Sequence, residues 1–264
     1  MTAFSDQHIP FYFMPGVTKS ATTWLWKVFL EHPEICTSHQ LDRINYFSLH
    51  YQKGIDWYKE HFDFQSSNQI YLDPTPEYIK DPFVPERISR FRHDARFIFT
   101  LRNPIDRALS LWWHQKRKRR INYNFDDLFL RKHIGSFVLY DEWILSGFYM
   151  HWINRFLEFF PSENIKIVLF DDLQANPRAY AKEVFEFLQV DTNFQPSIID
   201  VPQNVSGEKG KSKGVRHILK DMLDGRNNRE FTLSNEMRHE LQQIFKPHND
   251  KLGQFLDRDL SHWK

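Results

Sequence analysis

The chain has almost no cysteine. Cys36 stands alone among 264 residues, which excludes an internal disulfide and any all-cysteine metal site. Net charge is also nearly absent: 35 Lys and Arg face 34 Asp and Glu. No global field therefore draws in nucleic acid, and any basic site must be local. No stretch approaches about 18 consecutive apolar residues, which excludes a helical membrane span. The first residues, MTAFSDQHIPFYFM, carry neither the basic nor the apolar region of a secretion signal, so a cytoplasmic protein is expected. The 13 histidines are scattered, with no His-x-Glu-x-x-His or Cys-x-x-Cys spacing, and no metal is expected.

What is present is a large apolar and aromatic content. Apolar residues make up 41% and aromatics 16%, with 25 Phe and 8 Trp. That composition supports one large core and argues against disorder. Short, nearly uninterrupted apolar runs occur at Phe11–Met14, Ile70–Leu72, Arg96–Leu101 and Ile165–Phe170. Runs of this kind suit strands buried on both faces. Helical patterns alternate with them at Thr23–Glu31, Pro104–Arg119, Tyr140–Phe160 and Arg178–Leu188. The alternation predicts an α/β, doubly wound fold with a parallel sheet of about five strands. No repeat or low-complexity linker divides residues 1–264, so a single domain is expected. Residues 203–214 are the loosest segment and read as a functional loop.

Two loops carry the chemistry. In the first, the apolar run from Phe11 stops at Pro15-Gly16, and Val17, Thr18, Lys19, Ser20 and Ala21 precede two threonines and an apolar helical pattern from Trp24. Strand, tight loop and helix in that order gather backbone N–H groups, the helix dipole and an ammonium at one spot, which suits phosphate or sulfate. The full G-x-x-x-x-G-K-[ST] loop is absent, because no second glycine precedes Lys19. Thr22 or Thr23 as a plain N-cap is the competing reading. In the second, LRNPIDRALSLWWH, a strand ends at Arg102, Asn103 is a good N-cap and Pro104 a good first helical residue. Arg102 stands at a strand's C-terminal end, where ligands of open parallel sheets gather. Arg102 and Ser110 together suit a phosphate; a capped helix with a surface arginine is the alternative.

Taken together, these loops resemble the sulfotransferases that use 3′-phosphoadenosine 5′-phosphosulfate (PAPS), in particular the heparan-sulfate or carbohydrate branch and its bacterial relatives. GVTKSATTWLWKVFLEHPEI resembles that family's 5′-phosphosulfate loop, and LRNPIDRALSLWWH its R-N-P-x-x-R-x-x-S motif. The likeness continues at residues 44–62, 72–79, 159–177 and 204–214. It implies a P-loop-like three-layer fold with a central parallel sheet flanked by helices. It also implies that Lys19 contacts the bridging oxygen of the phosphosulfate, and that Ser20, Ala21, Thr22, Thr23 and Trp24 belong to the nucleotide site. Arg102 and Ser110 would bind the 3′-phosphate, and Lys211, Ser212, Lys213 and Gly214 would cover the nucleotide. The implied acceptor is a hydroxyl or amine on a carbohydrate or small molecule.

The pattern breaks at one place. The branch carries a glutamate base in K-E-x-x-F-F, whereas the matching stretch here is Asp42-Arg43-Ile44-Asn45-Tyr46-Phe47. Arginine cannot serve as a base at neutral pH. Asp42 is the expected substitute, with Asp73, Glu77, His50 and His114 as alternatives. Two other functions compete with transfer: a non-catalytic nucleotide-binding or interaction protein of the same fold, and a P-loop kinase of small molecules. The run Lys116-Arg117-Lys118-Arg119-Arg120 reads as a solvated helix end or as a site for an anionic partner. The aromatic cluster Trp112, Trp113, Trp143, Tyr149 and Trp152 reads as mostly core.

Overall fold

The computed structural model describes residues 9–38, 44–63, 65, 67–121, 124–126, 143–199 and 233–263. These residues form two compact units, one within Met1–Leu101 and Arg155–Leu219, the other within Arg102–Asn154 and Lys220–Lys264.

The first unit holds a five-stranded, all-parallel sheet of order β2-β3-β1-β4-β5. Its strands are β1 (Phe11–Gly16), β2 (Ile35–Thr37), β3 (Ile70–Asp73), β4 (Arg96–Leu101) and β5 (Ile165–Leu169). β1 and β3 are buried along their whole length, as a sheet covered on both faces requires. The helices here are α1 (Thr22–Glu31), α2 (Ile55–Lys59), α3 (Val84–Phe91), α6 (Phe170–Ala175) and α7 (Pro177–Leu188). α1 turns Trp24, Leu25, Val28 and Phe29 inward, the one-face spacing of an amphipathic helix. It ends at His32, one residue before Pro33, whose ring disfavours helical backbone at the residue before it. Rings of Phe11, Phe13, Phe47, Tyr58, Phe62, Tyr71, Tyr78 and Phe91 pack edge-to-face and offset through this core.

β1 lies at the centre, with β3 on one side and β4 on the other. The chain first builds one side of β1, edge strand β2 and then β3 between them, and afterwards the other side with β4 and β5. The C-terminal end of β1 is therefore the switch point where ligands of open α/β sheets bind.

The second unit is built on α4 (Pro104–Arg117) and α8 (Asn235–Leu256), with α5 (Tyr149–Leu157) leading back into the first. Ile105, Ala108, Leu111 and Trp112 of α4 share one core with Phe125, Trp143 and Ile144 and with Met237, Leu241 and Phe245 of α8. His114, Lys116 and Arg117 occupy the last turn of α4, where cations complement the dipole.

The sequence expectation of a parallel α/β sheet holds, with corrections at its edges. β2, only three residues long, escaped the pattern. Phe170, read as the end of β5, instead begins α6. The described part of the expected Tyr140–Phe160 helix is a short 3-10 turn at Leu145–Gly147 followed by α5. α8 was not anticipated, and it runs through Pro247, a residue that disfavours helix interiors.

Candidate functional site

The first loop is built by a strand that stops and a helix that starts open. Gly16 ends β1 with φ 144°, a backbone region reserved almost wholly for glycine. A Cβ there would lie 2.8 Å from the Pro76 carbonyl oxygen and 2.9 Å from Ile79 Cγ2. The Val17 N–H donates to the Thr100 carbonyl at 3.0 Å, and Thr100 Oγ1 donates to the Gly16 carbonyl at 3.4 Å. The loop is thus tied to the end of β4. Lys19 and Ala21 are both left-handed, φ 73° each, at a cost of roughly 1–2 kcal/mol per non-glycine residue.

Ala21 is the N-cap of α1 and its side chain accepts no bond from the helix, while the first turn contains no acidic residue. The leading N–H groups of α1 and its positive dipole end therefore receive no acceptor from the N-cap side chain and no acidic residue in the first turn. Neither Thr22 nor Thr23 caps the helix; both lie inside its first turn. The Ser20 hydroxyl is fully buried and has no hydrogen-bond partner among the described residues. A buried hydroxyl without a partner is costly, and this one is left open to a partner outside the described residues. Lys19 is partly exposed beside it. Trp24, expected at the nucleotide, is fully buried with its ring 5.8 Å from that of Tyr180.

The second loop belongs to the other unit and is closed rather than open. The Asn103 side chain accepts from the Ile105 N–H at 3.0 Å, and Pro104 occupies the first helical position. The Tyr149 hydroxyl donates to the Arg102 carbonyl at 2.6 Å, and burial pushes that phenol up to about 12 against the lowering effect of Arg107 and Arg102. Arg102 and Ser110 are both buried, at 2% and 7% exposure. Arg107, wholly buried, donates to the Trp143 carbonyl. Its part as an anchor of the second unit was not read from the sequence, although it is the second arginine of R-N-P-x-x-R. Trp112, Trp143, Tyr149 and Trp152 are core residues, as expected, and Trp113 is partly exposed.

The alternatives for a base separate clearly. Asp73, at the end of β3, is fully buried. Its Oδ1 accepts from Thr75 Oγ1 at 2.6 Å and from the Thr75 N–H at 3.1 Å. Its Oδ2 accepts from the hydroxyls of Tyr58 at 2.9 Å and Tyr78 at 3.1 Å. Burial pushes its carboxyl up to about 6 in spite of these four donors. Its oxygens are turned to protein donors, which makes Asp73 a hub of the fold rather than a group open to an acceptor. Glu77 is exposed, and His50 and His114 are partly exposed. Asp42, Arg43 and the Lys211–Gly214 stretch lie outside the described residues. Among the described residues, no group of three or more His, Cys, Asp or Glu could hold a metal, and no helix is long and apolar enough to cross a membrane.

Comparison with known proteins places the chain. The family model described as "Sulfotransferase domain" matches residues 11–258. The chain is 26% identical over 263 residues to mouse heparan sulfate glucosamine 3-O-sulfotransferase 5, covering 97% of this chain and 74% of that protein. It is 25% identical over 276 residues to mouse bifunctional heparan sulfate N-deacetylase/N-sulfotransferase 4, covering 95% of this chain but only 30% of the relative's length. Among solved structures, a sulfotransferase from Alicyclobacillus acidocaldarius superposes with a TM-score of 0.75 at 23% identity, covering 96% of this chain and 98% of that one. A mouse sulfotransferase complexed with PAP superposes at 0.51 and 13% identity, covering 97% and 91%. These structural likenesses concern the fold.

Proposed function

The chain belongs to the sulfotransferase domain family, and on that premise we propose that it moves a sulfuryl group from PAPS to a hydroxyl or amine of a carbohydrate or small-molecule acceptor. The observation that carries this reading is the open start of α1. An uncapped helix and a buried Ser20 hydroxyl without a partner among the described residues lie in the loop that carries Lys19, and that combination suits the 5′-phosphosulfate end of the nucleotide. The carbohydrate acceptor is supported by the heparan-sulfate relatives.

In this reading the acceptor oxygen or nitrogen attacks sulfur with its lone pair, and the bond from sulfur to the bridging phosphate oxygen breaks. The acceptor proton passes to a base. The products are adenosine 3′,5′-bisphosphate and the sulfated acceptor. As in phosphoryl transfer, positioning and charge stabilisation do most of the work. Lys19 neutralises charge developing on the departing phosphate, backbone and hydroxyl groups of Ser20, Ala21, Thr22 and Thr23 hold that phosphate, and Trp24 backs the loop from the core. Arg102 and Ser110 hold the 3′-phosphate, with the Arg102 backbone fixed by Tyr149. Lys211, Ser212, Lys213 and Gly214 cover the nucleotide. Asp42 is the proposed base, a function typically worth about 10²–10⁴-fold. No metal is required, because lysine and arginine carry the charge. The whole chain acts as one sulfotransferase domain. A cytoplasmic setting is part of the proposal and fits a chain whose one cysteine is buried.

Thermal stabilisation by adenosine 3′,5′-bisphosphate, compared with ATP and magnesium, tests the nucleotide. Preference for ATP would make the chain a kinase instead. Labelled PAPS with a panel of desulfated heparin, amino sugars and phenols tests transfer. Binding without transfer to any acceptor would leave a nucleotide-binding protein.

A further inference from the structure

The Asp73 hub joins three parts of the first unit that the sequence keeps far apart. Asp73 pairs in register with Phe13 of β1, three residues before Gly16. The turn that follows it lies against the anion loop, with the Pro76 carbonyl and Ile79 filling the space where a Gly16 side chain would be. On its other side, the Tyr78 hydroxyl donates to Asp73 Oδ2 and accepts from the Phe47 N–H at 3.3 Å. The Phe47 carbonyl accepts from Arg87 at 2.7 Å, and the Ser48 carbonyl from the same guanidinium nitrogen at 3.1 Å. Arg87 is further seated 4.6 Å from the Tyr51 ring centroid. Both polar groups of the Phe47 backbone are therefore held by side chains, and its ring meets Phe13 and Tyr78 edge-on.

Phe47 is buried outside regular structure, so its backbone groups need partners, and here side chains from two distant elements supply both. One residue of slack at residues 44–51 would shift that backbone against the anion loop. Misplacement of about 1 Å can cost around 10²-fold in rate.

We propose that Tyr78 and Arg87 are positioning residues for sulfuryl transfer: Tyr78, oriented by Asp73, and Arg87 fix the backbone of residues 44–51 at a set distance from the Lys19 loop. The link acts on the acceptor step and not on nucleotide affinity. This inference rests on the transferase reading.

The test uses the full chain with PAPS and two probe acceptors, de-N-sulfated heparin for an amine and fully desulfated heparin for a hydroxyl. Tyr78→Phe keeps the ring and removes only the hydroxyl. It should lower kcat/KM for the acceptor by about tenfold, with affinity for adenosine 3′,5′-bisphosphate unchanged within about twofold. Tyr58→Phe also deletes one hydroxyl bonded to Asp73 but leaves Phe47 held, so it should lower Tm comparably and leave turnover at wild-type level. Arg87→Ala should lower turnover and Arg87→Lys should restore part of it. Equal turnover in the Tyr78 and Tyr58 variants would overturn the proposal while leaving transfer itself intact, as would a Tyr78→Phe defect confined to nucleotide affinity. A wild-type chain that transfers to neither probe nor to any other acceptor would overturn both this inference and the transferase reading.

Discussion

Two helices begin at the C-terminal ends of neighbouring strands, and they begin in opposite ways. α1 starts at a left-handed alanine, without a capping side chain, beside a buried serine hydroxyl that has no partner among the described residues. α4 starts with an asparagine cap and a proline, and Tyr149 secures the residue before them. The first start can offer an anion its backbone N–H groups and dipole. The second has its Ile105 N–H and its Arg102 carbonyl held by protein groups, and its proposed ligand groups are the side chains of Arg102 and Ser110. If both loops bind phosphate as proposed, the first would do so chiefly with main chain and the second with side chains, and they should respond differently to substitution.

The largest effect should come from Lys19→Ala. Transfer should fall by at least about 10²–10³-fold, the range for removing one preorganised charge or donor from a developing oxyanion, with Tm close to wild type. A variant of normal activity in a PAPS assay would break the comparison outright, because the open start would then be only a turn.

The next effect concerns the hub behind the open start. Asp73 has a folded-state value of about 6 against an ordinary 3.8. The folded protein therefore binds more protons than the unfolded chain between these values. The stability this group contributes is full below about pH 4 and is lost as pH rises through about 6, at most about 3 kcal/mol. Tyr58 and Tyr78 face the same carboxyl, but burial, the leading cause for each, holds both phenols well above 10. They stay neutral across this range and do not contribute. Denaturant titrations from about pH 4 to 7 should show that slope in the wild type and a flatter one in Asp73→Asn. Identical slopes would remove Asp73 as the titrating group.

Arg102→Ala comes third. It should weaken binding of adenosine 3′,5′-bisphosphate by about 1.5–3 kcal/mol, the range for hydrogen bonds to charged groups, as read by calorimetry. Unchanged affinity would remove Arg102 from the 3′-phosphate site. The smallest pair sharpens the contrast in the helix starts themselves. Asn103→Ala should cost about 1 kcal/mol of stability through the lost cap. Ala21→Gly should be neutral or stabilising by up to about 1 kcal/mol, because glycine adopts a left-handed backbone without strain. A large loss of stability in Ala21→Gly would mean that the alanine methyl, not the loop conformation, holds this turn.

Much of this was legible in the residues. The buried strands announced themselves as apolar runs, and Asn103-Pro104 read directly as a helix start, because caps act over three or four residues. What failed was either too short or too dependent on partners. β2 has three residues and no periodicity to detect. α8 keeps its helix through Pro247 because its Met237, Leu241 and Phe245 face packs into the second core, an energy that local propensity does not contain. Asp73 looked like a possible base beside a motif, but burial and three side-chain donors drawn from positions 58, 75 and 78 turned it inward.

The sequence by itself determined the four longer strands, the position of the Lys19 loop and the family to which the chain belongs, since those depend on residue types at close spacing. Only the tertiary structure decided that α1 starts uncapped, that Ser20 is buried without a partner among the described residues, and that Asp73 and Tyr78 reach Phe47. These depend on which distant groups fill, or leave unfilled, the hydrogen-bonding capacity of a buried atom, and burial is a property of the folded chain as a whole.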